Sequence, residues 1–172
     1  MGSHFKYDER YPESAAYFRG AAGAQAEIDA YDNSIRFTNF ILDSLMAQLE
    51  AGGVPAVLVY ASDHGQLIPG DATAGKPCDL RWHGYGSEWD VQASALVWAR
   101  GIELGTLTRD RKLGGAGLFD TLADLGQLKI PGSVLSQSWL RASAQHRAVN
   151  VLGRVVDADL APVGACRILG TP

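Results

Sequence analysis

The chain has 172 residues, of which 47% are hydrophobic and 20% charged, enough for one globular domain with a real core. Fifteen basic residues against 19 acidic ones leave a formal charge of -4 without a long run of either sign, which disfavours nucleic acid or an anionic membrane surface as a partner. No apolar stretch reaches the roughly 18 to 20 residues that span a bilayer, and the N-terminus lacks the charged head and apolar segment of a signal peptide.

Residues 1–30 are aromatic, charged and alanine-rich, and Pro12 and the Gly20–Gly23 stretch interrupt them, so they read as a loop with little regular structure. From Glu27 to about Ala51 the positions Ile28, Tyr31, Ile35, Thr38, Leu42, Leu45 and Leu49 advance by threes and fours, which predicts one face of an α-helix. Gly52 and Gly53 stop it. The run AVLVYA at 56–61 predicts a strand covered on both faces, and a helix feeding it points to α/β layering. Residues 65–90 mix Gly, Pro, Asp and Trp without periodicity and predict a long loop, the kind that in compact domains is functional or disordered. SALVWA at 94–99 predicts a second strand. A helix follows at about 116–128, with Leu118, Phe119, Leu122, Leu125 and Leu128 on one side and Pro131 and Gly132 ending it. AVNVLGRVV at 148–156 predicts one weak strand. There is no repeat and no low-complexity tract.

Asp63 and His64 stand directly after the apolar strand, where sites collect in open α/β sheets. A hard carboxylate oxygen and a borderline imidazole nitrogen together suit a zinc or manganese ion. Neighbouring ligands cannot point the same way along a regular strand, so the backbone must turn here, and Gly65 allows it. The competing reading makes Asp63 the cap of that turn and His64 an ordinary loop histidine. His83, in WHGYG, shares the long loop, where Trp82 and Tyr85 could hold it or leave it solvated. His4, in MGSH, follows a small-residue turn that permits close approach to a ligand, against the plain reading of an N-terminal histidine. His146 lacks an acidic partner and is assigned to the surface. No nucleophile elbow, dinucleotide fingerprint or phosphate-binding P-loop occurs, and Leu113–Gly117 read as a helix lead-in. Cys78 and Cys166 match no metal or redox spacing and are either buried thiols or one long-range disulfide.

MGSH, YDERYPES, AYDNSIRFTNFILDSLMAQL, VLVYASDHG, WHG and GLFDTLADLG, in that order over most of residues 1–130, resemble the C-terminal half of the lipid A phosphoethanolamine transferase family. That family lies within the sulfatase and alkaline phosphatase superfamily, and the YDNSI helix leading into SDHG is the most specific part of the match. The resemblance implies a partial alkaline-phosphatase-like, layered α/β fold with a central, mostly parallel sheet flanked by helices. Residues 1–172 would then be the C-terminal part of a sulfatase-like catalytic domain. It also implies a zinc enzyme on the periplasmic face of the bacterial inner membrane. Such an enzyme moves phosphoethanolamine from a phospholipid donor to lipid A or a related glycan through a phosphorylated threonine. Carried over by motif, Asp63 and His64 correspond to two zinc ligands. His4 and His83 correspond to the pair that holds the transferred phosphoryl group or a second zinc.

The chain departs from the family pattern in three places. The threonine nucleophile, a zinc-binding glutamate and the membrane helices lie upstream of MGSH in the family, so none is assigned here. Gln66 stands where the family has Glu after Asp-His-Gly, and Leu113–Gly117 occupy the place of a Ser-His pair. The expectation is therefore an incomplete site, inactive alone, with weak zinc binding, on a marginally stable or self-associating chain. Two other readings stay open. One is a sulfatase-like hydrolase; the other is a non-catalytic binding module that would use Trp82, Tyr85 or Trp89.

Overall fold

The computed structural model describes residues 6–66, 68, 93–105, 107, 113–131, 135–142, 147–149 and 155–157. Two short 3-10 turns, Tyr7–Arg10 and Glu13–Ala15, supply regular structure in the N-terminal stretch read as loop. Helix α1 then runs Ala24–Ala51, three residues earlier at its start than the apolar periodicity indicates. Its last turn closes with Gly52 N–H donating to the Gln48 carbonyl (3.0 Å) and Gly53 N–H to that of Glu50 (3.2 Å). Gly53 sits at φ 72, in the left-handed region that glycine enters at no steric cost, and Pro55 bars further helix.

Strand β1, Ala56–Ala61, and strand β2, Ala95–Arg100, match the two predicted strands closely. They pair antiparallel, from Ala56 opposite Arg100 to Ala61 opposite Ala95. One further bond, Ser62 N–H to the Ser94 carbonyl at 2.9 Å, continues the ladder past the strand end. Where a mostly parallel sheet is expected, the described residues therefore show an antiparallel pair. The helix-then-strand order points to a parallel crossover, but the connection from Ser62 to Ser94 is long enough to return the chain in either direction. All of β1 is half-buried rather than covered on both faces.

Helix α2 runs Leu118–Leu125 and is led in by a 3-10 turn at Gly115–Gly117. It ends well short of residue 128. Leu128 N–H reaches back to the Ala123 carbonyl (2.9 Å) and Gln127 N–H to that of Asp124 (3.1 Å), with Gln127 left-handed at φ 52. That is a Schellman closure on a residue other than glycine, and it stops the helix before Pro131 can. The single strand expected at 148–156 is two strands, β3 (Arg147–Val149) and β4 (Val155–Asp157), paired antiparallel from Arg147 opposite Asp157 to Val149 opposite Val155. Asn150 and Gly153, both turn-forming residue types, are the signal that a one-strand reading passes over. Among the described residues no helix is long and apolar enough to cross a membrane.

The interior has two centres, and both are partly polar. Around α1 the buried residues are Tyr7, Asn33, Ser34, Thr38 and Leu42; around α2 they are Thr121, Ala123, Ser138 and Trp139. The stripe expected on α1 is only half right. Thr38 and Leu42 are buried, whereas Ile35 and Leu45 are exposed and Asn33 and Ser34 turn inward. Hydroxyls on this helix satisfy themselves locally: Ser34 Oγ donates to the Tyr31 carbonyl (2.6 Å) and Thr38 Oγ1 to that of Ser34 (3.0 Å).

Asn33 is buried between the helix and the preceding loop. Its Oδ1 accepts the backbone N–H groups of Tyr17 (2.8 Å) and Phe18 (3.0 Å), and its Nδ2 donates to the Phe18 carbonyl (2.9 Å) and the Tyr11 hydroxyl (3.3 Å). The Arg36 guanidinium lies 4.2 Å over the Tyr17 ring and reinforces the same seam.

The expected apolar face of α2 holds only in part: Leu118 and Leu125 are half-buried. Phe119 and Leu122 are 60% and 48% exposed, and Leu128 is exposed too. Thr121 and Ala123 face inward because residues 135–141 are held there by polar bonds. Thr121 Oγ1 donates to the Gly117 carbonyl (2.7 Å) and accepts Trp139 N–H (2.8 Å), while the Trp139 indole donates to the Gly114 carbonyl (2.9 Å). Asp124 binds Arg141 through both oxygens (2.8 and 2.7 Å) and accepts Ser138 Oγ (2.9 Å).

Three outcomes follow from these contacts. Asn33→Ala leaves two amides and a carbonyl without their partner and should lower unfolding free energy by about 2 kcal/mol in urea titrations, with residues 11–20 becoming protease-sensitive first. A β-carbon at Gly117 would run into the Gln137 carbonyl and lie 2.9 Å from Trp139 Nε1, so Gly117→Ala should cost about 1–3 kcal/mol by the same measurement. The bonds from Arg141 hold the Asp124 carboxyl below its ordinary range, against the opposing effect of burial and with help from Ser138. A carboxyl depressed by folding contributes its full stability above about pH 4 and loses it as pH falls through the folded value. Asp124→Asn should therefore reduce stability at neutral pH and flatten the acid limb of a melting-temperature profile.

Candidate functional site

The β1 strand ends at Ala61, and the backbone turns at once, as two adjacent ligands require. Two side-chain bonds set the turn. Ser62 Oγ donates to the His64 carbonyl at 2.7 Å, and Asp63 Oδ1 accepts the His64 backbone N–H at 3.1 Å. Because the ladder bond from Ser62 to Ser94 anchors the first residue, the turn begins from a fixed point.

His64 Nδ1 lies 2.7 Å from the Gly65 carbonyl oxygen. A carbonyl can only accept, so Nδ1 carries the proton, and in the neutral ring Nε2 holds the lone pair. This orientation by a backbone carbonyl is typical of metal-binding imidazoles. Nε2 stands 3.7 Å from Asp63 Oδ1. Two ligands about 2.0–2.1 Å from a tetrahedral zinc are separated by about 3.3 Å, so a shift of a few tenths of an ångström would seat both on one ion. Asp63 is 89% exposed and His64 26%, so the carboxylate faces solvent and the ring is partly sheltered. The donor set and spacing fit a zinc-type ion. The turn-capping reading of Asp63 also holds, because Oδ1 makes the local bond while a carboxylate has lone pairs for further partners.

His4, His83, Trp82, Tyr85, Trp89, His146, Cys78 and Cys166 lie outside the described residues. Among the described residues, no group of three or more His, Cys, Asp or Glu side chains is placed to hold a metal. The structure thus brings Asp63 and His64 together and leaves the convergence of His4 and His83 on them untested.

A second feature was not singled out from the sequence. Residues 6–21 and the first half of α1 enclose a cleft of about 460 Å³, lined on its polar side by Lys6, Asp8, Arg19, Glu27 and Asp29. At its inner wall Tyr7 is 2% exposed and meets Tyr31 edge to face, with ring centroids 5.2 Å apart. Burial pushes the Tyr7 phenol up to about 12, with the Coulombic influence of Glu27 and Tyr31 adding to it. The signal in the sequence was the polar YDNS stretch inside an otherwise amphipathic helix, where Asn33 and Tyr31 serve the loop instead of an apolar core.

Residues 1–127 match the sulfatase family. The chain is 37% identical over 75 residues to Kdo(2)-lipid A phosphoethanolamine 7''-transferase of Salmonella typhimurium, covering 39% of this chain and 13% of that protein. It is 31% identical over 80 residues to phosphoethanolamine transferase EptA of Helicobacter pylori, covering 41% of this chain and 15% of that protein. To phosphoethanolamine transferase EptC of Escherichia coli it is 30% identical over 145 residues, or 77% of this chain and 25% of that protein. The chain therefore spans a quarter or less of the length of these relatives. No solved structure matches it. With a match running through the MGSH segment, α1, the Asp63–His64 turn and α2, the chain belongs to the sulfatase family.

Proposed function

We propose that the chain contributes the Asp63–His64 half of a zinc site in a phosphoethanolamine transferase that acts on lipid A or a related envelope glycan. The observation that carries this reading is the 3.7 Å separation of Asp63 Oδ1 and His64 Nε2, with the imidazole tautomer set by Gly65, at a strand end of a sulfatase-family chain. All three relatives named above are phosphoethanolamine transferases, which favours transfer over sulfate ester hydrolysis.

In this reading Asp63 and His64 bind the ion, one through a carboxylate oxygen and the other through Nε2. Bound there, zinc would offset charge on phosphoryl oxygens and lower the pKa of a coordinated hydroxyl. His4 and His83 donate N–H groups to the phosphoryl oxygens and so stabilise the charge that develops during transfer. The donor is a phospholipid headgroup, the location the periplasmic face of the inner membrane, and the nucleophile a threonine outside this chain. The strands β1 and β2 would extend a central sheet that the rest of the catalytic domain supplies.

Isothermal titration with zinc tests the assignment. A half-site should bind at micromolar affinity or weaker, because a closed tetrahedral site needs four ligands. Asp63→Ala and His64→Ala should each weaken that binding about tenfold or more, while Asp124→Asn should leave it unchanged. Submicromolar binding that survives Asp63→Ala would place the metal elsewhere. Replacing His4 or His83 discriminates further: a binding module tolerates these changes and fails instead at Trp82, Tyr85 or Trp89.

A further inference from the structure

Strand β1 passes into the Asp63–His64 turn at a single residue, Ser62, which is bonded to both. Its backbone N–H donates to the Ser94 carbonyl at 2.9 Å, the bond that carries the ladder with β2 past the strand end. Its side-chain hydroxyl reaches forward and donates to the His64 carbonyl at 2.7 Å. A hydroxyl has one proton to give, and here a backbone oxygen two residues on takes it.

What this second bond restrains follows from peptide geometry. The His64 carbonyl lies in the planar unit that joins His64 to Gly65, so holding its oxygen limits rotation about ψ of His64 and sets the direction in which Gly65 leaves. The Gly65 carbonyl is the group that meets His64 Nδ1, at 2.7 Å. A chain of short contacts therefore runs from Ser94 through Ser62 and the 64–65 peptide to the imidazole. It ends by placing the proton on Nδ1 and leaving the lone pair on Nε2. The Asp63 carboxylate joins the same turn separately, through the His64 backbone N–H at 3.1 Å.

We infer that Ser62 is a positioning residue: its hydroxyl holds the His64–Gly65 peptide so that the Gly65 carbonyl fixes the tautomer and orientation of the His64 ring. The role needs the hydroxyl and not merely a small side chain. Ser62→Ala keeps the backbone bond to Ser94 but frees the peptide, and Gly65, lacking a β-carbon, offers little resistance to its rotation. The consequence for zinc rests on the function proposed above; the consequence for the tautomer does not.

The test compares the full chain with its Ser62→Ala, Ser62→Thr and Ser62→Val variants. Threonine and valine are alike in shape and differ in the hydroxyl, so that pair separates hydrogen bonding from bulk. Three readouts are taken with the imidazole neutral: the two ring-nitrogen NMR signals of His64, the zinc affinity by titration, and a circular dichroism melt. In the unaltered chain the nitrogens should give well-separated signals, Nδ1 protonated and Nε2 not. In Ser62→Ala and Ser62→Val the signals should move toward each other as the two tautomers exchange. Zinc should then bind about tenfold more weakly, as on loss of an outer partner of a ligating histidine. Ser62→Thr should keep both the signals and the affinity. A role confined to stability lowers the melting temperature and leaves the nitrogen signals in place, and that result overturns the inference. So does a Ser62→Val chain that behaves like Ser62→Thr. If neither Ser62→Ala nor Ser62→Val folds, the hydroxyl serves the fold and the inference is likewise overturned. Should the unaltered chain bind no zinc, the proposed metal site fails, while the nitrogen signals still decide the role of Ser62.

Discussion

Asn33 makes four hydrogen bonds from one side chain, and through them the chain from Tyr11 to Phe18 is fastened to the middle of α1. An asparagine amide is suited to this because it pairs an acceptor with two donors in a plane, so it can satisfy a loop's amides and carbonyl at once. The bonds matter more than their individual strength suggests. With the amide buried and the loop's polar groups turned toward it, any other placement of the loop would strand them away from water. This seam also borders the cleft, which Tyr11, Phe18 and Asn33 line together with Tyr7.

The polar character of this interior explains why the two helices differ so much from amphipathic expectation. Burial on α1 is set by what the N-terminal segment needs, so Asn33 and Ser34 turn inward at the expense of Ile35. Around α2 the same logic applies with different parts. Thr121 mediates between Gly117 and Trp139, and Asp124 gathers Ser138 and Arg141, so segment 135–141 approaches a helix face chosen by hydrogen bonding. Absence of a side chain at Gly117 lets the Trp139 indole lie flush against the helix start. Both helices thus expose apolar residues that periodicity alone would bury.

Much of the architecture was legible because its signals are local. AVLVYA and SALVWA are short apolar runs bounded by turn residues, and both became strands within a residue of expectation. The turn after β1 was also legible, because two adjacent candidate ligands and Gly65 imply it without reference to the rest of the molecule. What escaped was set by partners distant in sequence. The antiparallel sense of β1 and β2 depends on how a long connection returns, which its composition does not encode. The facing of α2 depends on Trp139, and the placing of residues 11–18 on Asn33, and no window along the sequence brings either pair together. The left-handed Gln127 that ends α2 escaped for another reason: the αL position of a Schellman motif is usually glycine, and here glycine occupies only the preceding cap.

The candidate site shows the same division between local and distant determinants, and that division has a chemical consequence. Asp63 and His64 are oriented by bonds within four residues, Ser62 to His64, Asp63 to His64 and His64 to Gly65, together with one ladder bond to Ser94. In the function proposed above, their mutual geometry would cost little further ordering on binding an ion, because the strand end itself already sets it. The position of that edge relative to the remainder of the molecule is a separate matter, and it is set through β1 and its pairing with β2. A pair of ligands can be locally correct and still useless if the pair is misdirected as a unit. For a site completed by residues from other segments, the contact that aims the turn deserves to rank with the ligands, because it determines whether the other groups can converge on the same ion.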